Sequence, residues 1–185
     1  MKKKFLIAAA VVLALAIAAG GTLAFFTSRT VVHNVITSGN IQIELEEKTL
    51  EDGVEVDFPA GGIAGVMPGT TVDKIVRVKN TGIGDAWIRV QLEGSIVSAQ
   101  NKPLPVDVMT FTVEEGWIAG EDGYYYYENV VPSGEYTAEL IKTVDFAASM
   151  GNEYQNCIAN LIVSAEAVQV ANNGDTVLEA AGWPN

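Results

Sequence analysis

The chain has 185 residues, 49% of them hydrophobic and 18% charged, with 23 acidic against 11 basic side chains. So many apolar residues and so few charges exclude a disordered chain, and the length suits one globular domain. A formal charge of −12 and a single histidine exclude nucleic acid and anionic membrane surfaces as partners, since both need a basic face.

Met1 to Lys4 carries three lysines, and Phe5 to Ala19 follows without a polar side chain before Gly20-Gly21. This is the pattern of an export signal, and it predicts a signal-peptide helix over residues 1–24. Thr22-Leu23-Ala24 puts small residues where a signal peptidase reads them, so the cut falls between Ala24 and Phe25. The alternative is an uncleaved anchor, because the apolar stretch reaches about twenty residues if Leu23 to Phe26 is counted. Cleavage removes three lysines and no acid, taking the charge from −12 to −15. Assembly of so acidic a chain needs directional contacts and tightens as salt screens the repulsion.

Residues 25–36 form an N-terminal strand candidate, and 37–185 the remaining domain. After residue 25 the apolar period is mostly two, which predicts strands. Ile41, Ile43 and Leu45 alternate with polar neighbours, as do Ala86, Ile88, Val90 and Leu92 with Trp87, Arg89, Gln91 and Glu93. Val72 to Lys79, Val108 to Val113, Tyr124 to Glu128, Tyr136 to Phe146 and Cys157 to Val170 are rich in β-branched and aromatic residues. Turn residues separate them at Glu51-Asp52-Gly53, Met67-Pro68-Gly69, Asn80-Thr81-Gly82, Glu121-Asp122-Gly123 and Pro132-Ser133-Gly134. Pro59 to Gly69 reads as one long loop, and Asp145 to Gln155 leaves room for a short helix. Many short, punctuated strands describe an all-β antiparallel sandwich or jelly roll. Cys157 is the only cysteine, so no internal disulfide forms and the core must supply stability.

GGTLAFFTSRTVVHNVITSGNIQIEL (Gly20 to Leu45) resembles the signature of the TasA and camelysin family of exported bacterial proteins. The likeness continues through PGTTVDKIVRVKNTGIGDAWIRVQLE (Pro68 to Glu93), GYYYYENVVPSGEYTAELIKTVDF (Gly123 to Phe146), AEAVQVAN (Ala165 to Asn172) and AGWP (Ala181 to Pro184). The resemblance implies a jelly-roll domain whose signal peptide is cut by a dedicated signal peptidase, SipW, and which is secreted to the cell surface or biofilm matrix. TasA-like members polymerise into fibres in which the N-terminal strand of one subunit completes the sheet of the next.

Phe25 to Ile36 suits such a donor: it holds no proline and no acid, and it offers Phe26, Val31, Val32, Val35 and Ile36 as apolar anchors. Each anchor buried contributes roughly 1.5 to 3 kcal/mol before ordering costs. A head-to-tail contact of this kind does not close on itself, so it propagates. The alternative is that the segment pairs within its own domain.

Camelysin relatives are described as metallopeptidases, but a zinc peptidase normally uses two or three histidines with a carboxylate, as in H-E-x-x-H. With only His33 present, the sequence predicts a chain that is not an enzyme, with no metal and no cofactor. Monomeric adhesion is a third reading. The acid clusters Glu44-Glu46-Glu47, Glu51-Asp52, Glu114-Glu115 and Glu121-Asp122 lack a D-x-D-x-D-G loop and read as solvated faces. Of Tyr124 to Tyr127, two are expected inward and two outward, and Arg89 is expected to be a structural charge with Asp85 near it in sequence.

Overall fold

The computed structural model describes residues 24–26, 41–60 and 62–184. Two sheets, antiparallel except where the first strand joins the last, pack as a jelly-roll-like sandwich. The expected signal-peptide helix falls on residues 1–23, outside the described residues, apart from its last residue. Among the described residues no helix is long and apolar enough to cross a membrane.

The strands in chain order are β1 (Ala24–Phe26), β2 (Ile43–Glu51), β3 (Val54–Asp57), β4 (Ile63–Val66), β5 (Thr71–Asn80), β6 (Ala86–Val97), β7 (Pro103–Leu104), β8 (Met109–Thr110), β9 (Trp117–Ala119), β10 (Tyr124–Tyr127), β11 (Ile141–Phe146) and β12 (Ile158–Gln169). The first sheet runs β4-β1-β12-β6-β10-β9, with β7 on β6, and the second runs β3-β2-β5-β11-β8. Asp52 and Gly53 take φ of 51° and 79° in the β2–β3 hairpin, the left-handed pair that an Asp-Gly turn supplies without splaying its strands.

The period-two residues meet between the sheets. Ile43 and Leu45 of β2, Val76 and Val78 of β5, Ile88 and Val90 of β6, and Ala159, Leu161 and Val163 of β12 are all buried there. Ala86, Ile88 and Val90 face inward as their alternation predicts, yet Trp87 and Arg89 opposite them are buried too. The segment 171–184 folds back over that outer face, where Trp87, Tyr126, Val168, Val177 and Ala180 make a second apolar cluster.

Three expectations change. The glycine-rich loop Pro59 to Gly69 contains β4, whose described strand partner is β1. Tyr136 to Leu140 follows β5 irregularly: Thr137 and Leu140 donate their amides to Val78 and Val76 carbonyls, and regular pairing starts only at Ile141. Of Val108 to Val113 only Met109–Thr110 pairs. Asp145 to Gln155, which left room for a short helix, holds one 3-10 turn, Asn152–Tyr154.

Lys74 is fully buried, with its Nζ 2.8 Å from Glu47 Oε1 and 3.9 Å from the centre of the Phe58 ring. Burial lowers the Lys74 pKa against the opposing pull of Glu47. Among the described residues no buried side-chain nitrogen or oxygen lacks a hydrogen bond.

Candidate functional site

β12 is the hub of the first sheet. On one side every residue from Ile158 to Gln169 has an antiparallel partner in β6. On the other side Phe25 and Phe26 of β1 lie parallel to Ile158 and Ala159. Beyond Ala159, residues 160–169 of this second edge meet no strand among the described residues. Alternate residues of a strand aim N–H and C=O to the same side, so about half of this stretch offers backbone groups outward.

β1 is wedged between β12 and β4, with Ala24, Phe25 and Phe26 opposite Val66, Ala64 and Ile63 and a register shift after Ala24. The start of the candidate donor segment therefore pairs within its own chain. The remaining anchors Val31, Val32, Val35 and Ile36, and His33 with them, lie outside the described residues. Ala24 and Phe25, the expected cleavage pair, are the first two residues of β1.

Cys157 stands immediately before β12 and is fully buried, which pushes its thiol pKa up and leaves it a poor nucleophile at neutral pH. Its burial agrees with the inward alternation of Ala159, Leu161 and Val163.

The acidic residues do not behave as one class. Glu47 points into the sandwich toward Lys74, while Glu46 accepts from Arg77 Nε at 3.0 Å and Glu114 from Lys142 Nζ at 2.7 Å. Asp122 accepts from Tyr126 Oη at 2.6 Å, and this hydrogen bond holds its pKa below the usual carboxylate value. The inward turn of Glu47 was readable, because Ile43, Leu45 and Glu47 share one face, as do Val72, Lys74, Val76 and Val78.

Arg89 does not use Asp85. Strand geometry carries residues four apart well away from each other, whereas cross-strand register sets Arg89 opposite Glu166 on β12 and Tyr126 on β10. Arg89 Nη2 lies 2.7 Å from Glu166 Oε2. Tyr124 and Tyr126 share this outer face, and Tyr125 and Tyr127 pack on the core. Burial raises the pKa of both Tyr124 and Tyr126.

A family model described as "Camelysin metallo-endopeptidase" matches residues 1–102, more than half of the chain. The chain belongs to the camelysin family. Camelysin-family proteins are surface or extracellular bacterial proteins. No curated protein and no solved structure matches the chain. The expectation that the protein is not an enzyme is corrected by the family description, which points to a peptidase. The described residues do not fit a metal centre, since among them no three His, Cys, Asp or Glu side chains gather to hold an ion.

Proposed function

We propose that this camelysin-family protein is a secreted or cell-surface fibre subunit, of the kind found in a biofilm matrix. Each copy lends its N-terminal segment, residues 25–36, to β12 of the next. The observation that carries the reading is the second edge of β12, which among the described residues meets no strand along residues 160–169 and takes its one described strand from the start of the expected mature chain. In the described structure the segment starts on β12 of its own chain. Phe26 sits opposite Ala159, and Ile41 lines a surface cleft with Gln169 and Val170 at the other end of β12. Ten residues of strand cover about 33 Å, within reach of the intervening segment when extended. The same contacts made in trans link one copy to the next without closing a ring. A dedicated signal peptidase cutting between Ala24 and Phe25 would release the donor from the membrane and so license assembly.

The test compares protein beginning at Phe25 with protein lacking Phe25 to Ile36. The first is expected to form filaments by negative-stain microscopy. The second is expected to keep its β-sheet circular dichroism and form none. Fibres from the truncated protein overturn the reading, and a monomeric adhesin would give no filaments from either.

The family match favours a second reading, a surface metallo-endopeptidase. It is tested by incubating the purified protein with casein and a divalent cation. Cleavage that a chelator abolishes supports it, and cleavage indifferent to the chelator counts against it.

A further inference from the structure

The C-terminal segment packs on the outer face of the first sheet in two distinct parts. Residues 173–181 close on themselves. Asn173 Nδ2 donates to the Ala181 carbonyl at 3.0 Å, and Asn173 Oδ1 accepts from the Ala181 amide at 2.8 Å. A Cβ on Gly174 would come within 2.8 Å of the Glu179 backbone, so the loop admits only glycine there. Val177 is buried beneath it in the cluster with Trp87. Gly182 follows with φ of +80° and no atom within 4 Å of where its Cβ would stand. Only then do Trp183 and Pro184 reach Arg89.

Most of what holds Arg89 comes from the sheet. Its Nε donates to Glu166 Oε2 at 2.8 Å, and its Nη1 donates to Tyr126 Oη at 3.1 Å and to Asp122 Oδ2 at 3.3 Å. The Tyr124 ring centre lies 3.9 Å from the guanidinium carbon. The tail adds a stacked indole, with the Trp183 ring centre at 4.7 Å, and a carbonyl, with Pro184 O accepting from Nη2 at 3.2 Å. Trp183 also meets Tyr126 edge-on, with ring centres 5.8 Å apart. A guanidinium fixed by two carboxylates and a phenol still offers a π face and one N–H, which an indole followed by a carbonyl satisfies together.

We propose that Arg89, Tyr124 and Tyr126 form a peptide-binding site for a Trp-Pro segment, and that the chain's own Trp183–Pro184 is a hinged latch occupying it, swinging on Gly182. The site is assembled by β6, β10 and β12 without the latch, so an open latch leaves a receptor for Trp183–Pro184 of a second copy. Because a preorganised site does not have to order itself on binding, a short peptide is enough to fill it.

The experiment uses the full chain and a fluorescein-labelled Gly-Trp-Pro-Asn peptide, read by anisotropy. Trp183→Ala empties the site, and this variant is expected to bind the peptide at least tenfold more tightly than the parent chain. Gly182→Ala adds no clash but disfavours the left-handed backbone, so it is expected to bind with intermediate affinity. The peptide Gly-Ala-Pro-Asn is expected not to bind either variant. Equal affinity of parent and Trp183→Ala, or equal binding of the two peptides, overturns the proposal. Should Trp183→Ala unfold, Gly182→Ala decides, and labelled peptide binding it no more tightly than the parent overturns the latch.

Discussion

Along β12 one edge is matched residue for residue with β6 from Ile158 to Gln169, while the other meets a described strand only at Ile158 and Ala159. The matched edge is reinforced outside the backbone. Arg89 of β6 and Glu166 of β12 pair across it, aromatic rings from β10 and the C-terminal segment cover the pair, and Leu161 and Val163 are sealed on the inner face. At the other edge the described contacts of β1 are short and its outer neighbour β4 has only four residues. The difference teaches how unequally the two edges of one strand can be held. Cross-strand ion pairs and ring stacking fix the first, and a brief backbone ladder holds the second.

The comparison breaks most sharply at Arg89. Arg89→Ala leaves the Glu166 carboxylate buried without a cation, held only by the Tyr124 hydroxyl, and is expected to lower stability by about 3–5 kcal/mol in urea unfolding. A loss below about 1 kcal/mol would mean that the matched edge gains nothing from this pair. At the other edge Ile63→Ala on β4 trims a partly buried side chain and is expected to cost about 1 kcal/mol. The same change is expected to speed labelling of Cys157 by a thiol reagent, since β1 packs beside the start of β12; unchanged labelling would count against a loosely held edge. The smallest effect is one of pH. Asp122 has a lowered pKa in the folded protein, so its contribution is present above the unfolded carboxylate value near 4 and fades as pH falls through the folded one. As pH falls below about 4 the tryptophan fluorescence is expected to change before the global fold melts, and both Asp122→Asn and Trp183→Phe are expected to remove that early phase.

β2 and β6 were legible from their alternation, and β5 and β12 from their β-branched content, because the inner face of each is buried. β4 was not, since Gly61, Gly62 and Gly65 around it read as loop and its pairing depends on a strand that precedes it by more than thirty residues. The charge partner of Arg89 was hidden for a related reason: proximity in sequence favours Asp85, and only cross-strand register reveals Glu166. Of the candidate site, the apolar character of residues 25–36 was readable, but the edge that β1 joins and its parallel direction were not, because a strand's own sequence does not name its neighbour. The family description likewise corrected an inference drawn from counting histidines.

The Lys74–Glu47 pair sealed beside Phe58 bears on how the second sheet finds its alignment. Sliding β2 past β5 by two positions would keep every hydrophobic side chain inward and so escape the usual penalty for misalignment. It would, however, drag an ammonium and a carboxylate apart in a medium that solvates neither. Two charges thus act as a keyed joint, rejecting the one error that greasy side chains cannot detect.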